Sequence, residues 1–274
     1  MKKSVLSEFA KILIDSAFRP VRKNKTILSH LFNNTFRKEL EERIENGGIF
    51  PMHHIHRSIR LAKMLPQQDF LIVDIGGGIG ASVILYRKYF PENHIIAFEP
   101  ITENYNAIKS RIKDLENIEV VNKALGNENS FIPMNIANRI TSSSLLPLSA
   151  DPGSEAFSEK NLGKSRDENI EVVRLDDFLL TNPRDIGIMK IDVQGYEMNV
   201  LKGAEKTLER TKVIVLEANN HEGYSGAPKY YETDEFLRNH NFTLYDILPS
   251  IFEKGKLKEW DVIYLNKSAE CTLA

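Results

Sequence analysis

The chain has 274 residues, 42% of them apolar, with 36 Lys and Arg against 38 Asp and Glu. A net charge of −2 gives no general attraction to nucleic acid, and no apolar run approaches the ~20 residues that a membrane-spanning helix needs. The single cysteine, Cys271, excludes an internal disulfide and a cysteine-based zinc site, and it fits a reducing cytoplasm.

Residues 1–30 are basic and amphipathic. Lys2, Lys3, Lys11, Arg19, Arg22, Lys23 and Lys25 outnumber Glu8 and Asp15, while Leu6, Phe9, Leu13 and Ala17 recur at helical spacing. Glu8, Lys11 and Asp15 interrupt the segment too often for a secretory signal. Such a helix can lie on an anionic membrane, pack on its own domain, or join two copies as a homodimer. Residues 31–66 read as helical and then irregular, with a break at Gly47 and Gly48. The segment PMHHIHR places His53, His54 and His56 just ahead of the first strand, where they can fold over a site at its far end.

Residues 70–80, FLIVDIGGGIG, carry the most information. Phe70 to Val73 form a buried strand, and ASVILYRKYF a helix that Pro91 stops. Strand, glycine turn and helix opening make a nucleotide-type site, because glycine admits close backbone approach and a helix N-terminus offers unpaired N–H groups. The register is Asp74-x-Gly76-x-Gly78-x-Gly80, whereas a dinucleotide fingerprint needs Gly-x-Gly-x-x-Gly. Alternating glycines behind an acid resemble the S-adenosylmethionine turn of Rossmann-like methyltransferases. That donor has an α-amino group that a carboxylate can hold.

HIIAFEP (94–100) is the next strand, and Glu99 at its end can accept both ribose hydroxyls. Thr102 is placed to cap a helix whose inner stripe is Tyr105, Ile108, Ile112 and Leu115. A third strand over 117–127 ends where Asn122 and Ala124 can meet an adenine edge. Residues 128–168 break the alternation with a hairpin and an exposed loop. NIEVVRLDDFL (169–179) is a strand before a short helix that Asp176 or Asp177 caps. Ile188 to Ile191 form a strand with Asp192 at its exit, and Val200, Leu201, Ala204 and Leu208 make the buried face of one helix. KVIVLEANNHEGY (212–224) repeats the pattern, with Glu217 at the exit and His221 in the loop. A helix near 231–240 and strands near 242–247 and 261–265 follow.

This alternation predicts an α/β fold: a Rossmann-like, doubly wound, mostly parallel sheet with a hairpin and loop insertion and an N-terminal helical extension. The expected borders are 1–66 for the extension, 67–267 for the domain and 268–274 for a tail. Asp74, Glu99, Asp192 and Glu217 all fall at carboxyl ends of strands, the edge where such sheets bind ligands.

From about residue 70 to 265 the chain resembles the FkbM-type methyltransferase family. VDIGGGIG, AFEP, the TSSSL segment, VVRLDDFL and above all KIDVQGYEMNVLKGAE carry the resemblance. The turn departs slightly, with Gly77-Gly78 where the family often has Ala-Asn. The resemblance implies a class I fold and S-adenosylmethionine-dependent O-methylation of a sugar, polysaccharide precursor or other small metabolite. It implies that Asp74, Gly76, Gly78 and Gly80 form the donor turn, that Glu99 binds ribose, and that Asp192 lies by the methionine end and the acceptor.

For the acceptor's proton, three sources are open: His221, the histidines at 53, 54 and 56, and a metal. Asp192 and Glu217 on adjacent strand ends, with Asn219 two residues on, are similar to the acids of magnesium-dependent O-methyltransferases of the catechol type. Asp192, Glu217 and His221 are therefore the candidate catalytic residues, and Mg²⁺ through Asp192, Glu217 and Asn219 the candidate metal site. Residues 128–168, the HHIH segment and the 220–230 loop are expected to shape the acceptor pocket, where Tyr196, Tyr224, Tyr230 and Tyr231 can stack on a sugar. The competing readings are an NAD-dependent oxidoreductase, disfavoured by glycine spacing and the lack of a clear Tyr-x-x-x-Lys, and a non-catalytic Rossmann-like module. A nucleic-acid methyltransferase lacks its basic patch, and Asn-Pro-Arg-Asp at 182–185 precedes its strand.

Overall fold

A computed structural model describes residues 53–138, 140–149, 163–220, 223–253 and 256–269. The N-terminal basic segment and His221 lie outside them. Contacts divide the chain after His53, so the helix α1 (His53–Met64) belongs almost whole to the unit 54–274. The sequence pattern drew this border at 66. Buried Ile55, Ile59, Leu61 and Ala62 explain the difference, since α1 packs its apolar stripe inward.

Among the described residues, seven strands form the main sheet in the order β3-β2-β1-β7-β8-β10-β9. They are β1 (Leu71–Ile75), β2 (Ile95–Phe98), β3 (Ile118–Val121), β7 (Ile186–Ile191), β8 (Thr211–Asn219), β9 (Phe242–Glu253) and β10 (Lys256–Asn266). All neighbours pair in parallel except β10, which is antiparallel to β8 and to β9. β1 and β7 are buried along their whole length because both faces are covered, and they are apolar except at Asp74 and Lys190. On one side Val73, Ile75, Met189, Ile191, Leu216 and Val262 pack against α5 (Glu197–Lys202), α6 (Glu205–Leu208) and α7 (Tyr230–Asn239). Asp74 and Lys190, in register, share the other face with Ser82 of α2 (Ala81–Tyr89).

A second sheet, β4-β6-β5, stands apart. The strand expected over 117–127 splits at Asn122 and Lys123, and β4 (Ala124–Leu125) leaves to pair with β6 (Lys164–Val173). β5 (Ser130–Ala137) runs antiparallel to β6. Its core is Ile101, Ala124, Met134, Ile136, Ile170 and Val172.

Several local expectations change. α3 (Thr102–Arg111) begins at Thr102, which caps nothing; Ile101 holds the cap position, and its N–H donates to Glu99 Oε1 at 3.1 Å. Leu115 lies beyond that helix and is exposed. The single helix expected after Asp192 breaks at Gly203, where a Cβ would lie 1.8 Å from the Gly126 carbonyl oxygen. Val200, Leu201, Ala204 and Leu208 are nonetheless all buried. Asp176, inside α4 (Leu175–Phe178), does not cap its own helix. Its carboxylate accepts from the Thr207 N–H at 2.8 Å, the Thr207 hydroxyl at 2.7 Å and the Lys206 N–H at 3.2 Å, so it serves α6. Asp176→Ala is expected to cost about 1–2 kcal/mol, as the loss of a helix cap does, while leaving nucleotide affinity unchanged. Urea unfolding beside calorimetric titration checks both halves.

Among the described residues no helix is long and apolar enough to cross a membrane.

Candidate active site

A cleft of about 740 Å³, counting its open mouth, lies at the carboxyl edge of β1, β2 and β7. Its floor is Gly76, Gly78, Glu99, Asp192, Val193 and Gln194, and its wall is largely apolar.

The turn after β1 is pinned to β2, with the Gly76 and Gly77 N–H groups both donating to the Phe98 carbonyl at 3.0 Å. Gly76 has φ +81°, and a Cβ there would stand 1.8 Å from the Asp192 carbonyl oxygen. The ends of β1 and β7 meet so closely that only glycine fits. At Gly78 a Cβ would meet nothing, so this residue faces open space. Its N–H donates to Glu99 Oε2 at 2.7 Å. Glu99 also takes the Ile101 N–H and, at 3.4 Å, the Asn104 side chain. Burial pushes its carboxyl up to about 7, against the pull of these donors.

Asp74 does not line this cleft. It is wholly buried and accepts from the Ser82 hydroxyl, with Lys190 Nζ 3.6 Å away. Burial raises its pKa against the pull of Lys190 and Ser82. Lys190 Nζ lies 3.1 Å from Asp192, so one buried ammonium joins the ends of β1 and β7. Burial alone would lower Lys190, but Asp192 and Asp74 outweigh it and hold the charge. Burial opposes ionisation of Asp192 too, but Lys190 prevails and keeps its carboxyl below the ordinary range.

Gln194 follows in the left-handed region, φ 53°. Its amide donates to Asp192 at 3.2 Å and to Glu217 at 2.7 Å. Its side-chain oxygen accepts from the Tyr224 hydroxyl at 3.3 Å, and its backbone carbonyl from Ser144 at 2.6 Å. Tyr224 also donates to the Ser142 carbonyl at 2.7 Å. The TSSSL segment is thus a clasp on the loop after β7. Glu197, in the same KIDVQGYE motif, accepts from the Val193 and Gly195 N–H groups at 3.3 and 3.0 Å, and burial pushes its carboxyl up to about 7. Burial, with Asp192, Glu259, Glu197 and Asp261 nearby, raises Glu217 well above the ordinary range.

Of the expected cofactor residues, Gly76, Gly78, Glu99, Ala124 and Asp192 line the cleft. Gly80 instead takes position ahead of α2, with its N–H donating to the Gly77 carbonyl at 2.8 Å. Asn122 turns its amide to the carbonyls of Glu99 and Pro100, at 3.0 and 2.9 Å, and straps the loop rather than an adenine edge. The magnesium set Asp192, Glu217 and Asn219 does not fit a cation. The Gln194 amide, an N–H donor, bridges the two carboxylates where a cation would sit. Among the described residues no group of three or more His, Cys, Asp or Glu could hold a metal ion. Tyr196 lines the cleft, Tyr224 is engaged in the clasp, Tyr230 packs against Trp260 with ring centroids 5.4 Å apart and planes tilted by 60°, and Tyr231 is exposed.

Sequence reasoning did not find the second sheet's part in this cleft. Met134, with Ile140, Ser143 and Leu145 of the following turn, forms the wall facing Glu99, in a region expected to shape the acceptor pocket. Lys190 was missed as well. A lysine inside an apolar strand, two residues before an acid, was its available signal.

The profile of the Methyltransferase FkbM domain matches residues 74–244. This chain belongs to the FkbM methyltransferase family. The match covers the turn, Glu99, the second sheet and the Lys190–Asp192–Gln194 loop. The family is one of S-adenosylmethionine-dependent methyltransferases. Methyltransferase 1 of Beauveria bassiana (strain ARSEF 2860) is 26% identical over 166 residues, spanning 55% of this chain and 66% of that protein. The 2-O-methyltransferase NoeI of Sinorhizobium fredii (strain NBRC 101917 / NGR234) is 24% identical over 176 residues, 63% of this chain and 72% of that one. Methyltransferase sdnD of Sordaria araneosa is 27% identical over 175 residues, 56% and 67% respectively.

Proposed function

We propose that the chain transfers the methyl group of S-adenosylmethionine to a hydroxyl oxygen of a sugar, a polysaccharide precursor or another small metabolite. The observation that carries this reading is Glu99, a carboxylate held by backbone amides at the mouth of a glycine turn, opposite an apolar wall. Glu99 accepts the two ribose hydroxyls. Ile101, Ala124, Leu125, Met134 and Leu145 enclose the adenine. Asp192, kept ionised by Lys190, accepts from the donor's ammonium group. Bound there, the donor supplies an electrophilic methyl on a sulfonium. The chain's share is to aim an acceptor oxygen at it, and such positioning supplies several kcal/mol. The 2-O-methyltransferase among the relatives supports oxygen as the acceptor atom.

The test is calorimetric titration with S-adenosylhomocysteine beside NAD. Radiolabelled donor is then offered with neutral mono- and disaccharides. Micromolar binding of the homocysteine compound and label on a sugar are expected. Binding of NAD alone would replace this reading with the oxidoreductase one, and binding without transfer to any sugar would move the acceptor to another class.

A further inference from the structure

Helix α1 crosses the main sheet from its carboxyl edge to its amino edge. Just beyond its end, Leu65 neighbours Asp185 and Lys212, where β7 and β8 begin. Near its start His54 reaches the opposite edge, with Nδ1 2.8 Å from the Asp261 carboxylate of β10. Both side chains keep some solvent access, 19% and 22%. Asp261 stands directly across from Glu217 in the β10–β8 register, so the two carboxylates share one face of the sheet. Glu217 is tied through Gln194 to Asp192, which lines the cleft. The one helix that precedes the glycine turn among the described residues therefore brings an imidazole to Asp261, behind the Glu217–Gln194–Asp192 chain that ends in the cleft.

We infer that His54, oriented by Asp261, is the general base that takes the acceptor hydroxyl's proton. This rests on the O-methylation reading above. The other candidates at this edge are committed. Asp192 holds Lys190 and Gln194, Glu217 holds Gln194, and Glu99 holds two backbone amides. Each of these carboxylates is already engaged by fixed donors. In His54 the carboxylate partner orients the ring: an Nδ1–H donated to Asp261 leaves the lone pair on Nε2. In the step, the hydroxyl proton passes to Nε2 as the new C–O bond forms. The C–S bond breaks with its electron pair left on sulfur, and the imidazolium, paired with Asp261, later releases its proton to water. The charged groups around His54 are Asp261 on β10 and Asp192 beyond β7. One turn along α1, Arg57 is occupied with Asp246 of β9, its Nε 2.7 Å from the carboxylate.

The test uses the full chain with His54→Ala, His54→Gln and Asp261→Asn. With labelled donor and the neutral sugar that accepts it, both His54 variants are expected to keep S-adenosylhomocysteine affinity and acceptor KM within about threefold. Their kcat falls about 100-fold or more, the range a positioned base supplies. Added imidazole restores part of the kcat of His54→Ala, which a purely structural role would not allow. Variants with kcat within threefold of the parent would overturn the inference while leaving the donor site standing. Failure of the unaltered protein to bind the homocysteine compound, or to methylate any hydroxyl, would overturn the reading beneath it. A second measurement needs no acceptor: long-range ¹H–¹⁵N spectra should show His54 as the Nδ1–H tautomer, with Asp261→Asn disturbing it. A clean Nε2–H tautomer in the unaltered protein would refute the pair.

Discussion

Glu99→Ala is expected to weaken S-adenosylhomocysteine binding at least ~100-fold while the fold survives. Two ribose hydroxyls on one carboxylate contribute about 1.5–3 kcal/mol each, as hydrogen bonds to a charged acceptor do. The residue also holds the Gly78 and Ile101 amides, so the turn loosens when it goes. Glu99→Gln keeps the volume but carries one acceptor in place of two, and an intermediate loss is expected. The pH dependence has a definite sign. Burial puts the free protein's Glu99 at about 7, above the ordinary 4.5, so protonation favours the empty folded state. Its contribution to the empty protein's stability is complete below pH ~4.5 and is lost as pH rises through ~7. Ligand needs the ionised carboxylate, so affinity should tighten about tenfold between pH 6 and pH 8 and then level off. Calorimetry in buffers of different ionisation enthalpy would show a proton released at pH 6 and none at pH 8. A flat profile in the unaltered protein, or one that Glu99→Gln fails to flatten, would remove Glu99 from the donor site.

Lys190→Met is expected to destabilise the domain by about 3–5 kcal/mol, the usual penalty for removing one member of a buried ion pair. Lys190 lies between Asp74, which has no access to solvent, and Asp192. Without the ammonium, Asp74 either stays charged with only the Ser82 hydroxyl or takes up a proton, and both are costly. For a domain of this size the loss corresponds to about 6–20 °C in Tm. Asp74→Asn alongside Lys190→Met should recover part of it, because the charge left behind is then absent. A single variant melting within ~2 °C of the parent would show that the pair contributes nothing. Asp192 would also lose the partner that keeps it ionised, so weaker donor binding should accompany the lost stability.

The sheet and its cofactor edge were legible because they depend on local signals. Apolar runs such as 71–75 and 186–191 specify strands, glycines at 76 and 78 specify the turn, and acids at the strand exits specify the edge. What could not be read depends on partners distant in sequence. Asp74 has the spacing of a ligand-holding acid, yet Lys190 claims it, and no local pattern pairs residue 74 with residue 190. The place of Asn122 after a strand points to adenine, but two backbone carbonyls take its amide. The spacing of Asp192, Glu217 and Asn219 suggests a magnesium site only as long as the side chain of Gln194 is left out of account. Its left-handed backbone turns that side chain to bridge the two acids. Residues 128–168 broke the α/β rhythm, and the break was legible; that β4, β5 and β6 close into a wall over the cleft was not.

The pairing order of the main sheet also bears on how the protein is made. β1 is an interior strand, with β2 on one side and β7 on the other, and Leu71 must wait for Ile186 to complete that second edge. During synthesis the half-sheet β3-β2-β1 therefore presents an unpaired strand, apolar at every position but Asp74, until the ribosome has delivered the second sheet and β7 behind it. An open strand edge of this kind is where nascent chains associate wrongly. The buried Asp74 in the middle of β1 works against such mispairing, because until Lys190 arrives that edge carries a carboxylate no apolar neighbour can accommodate.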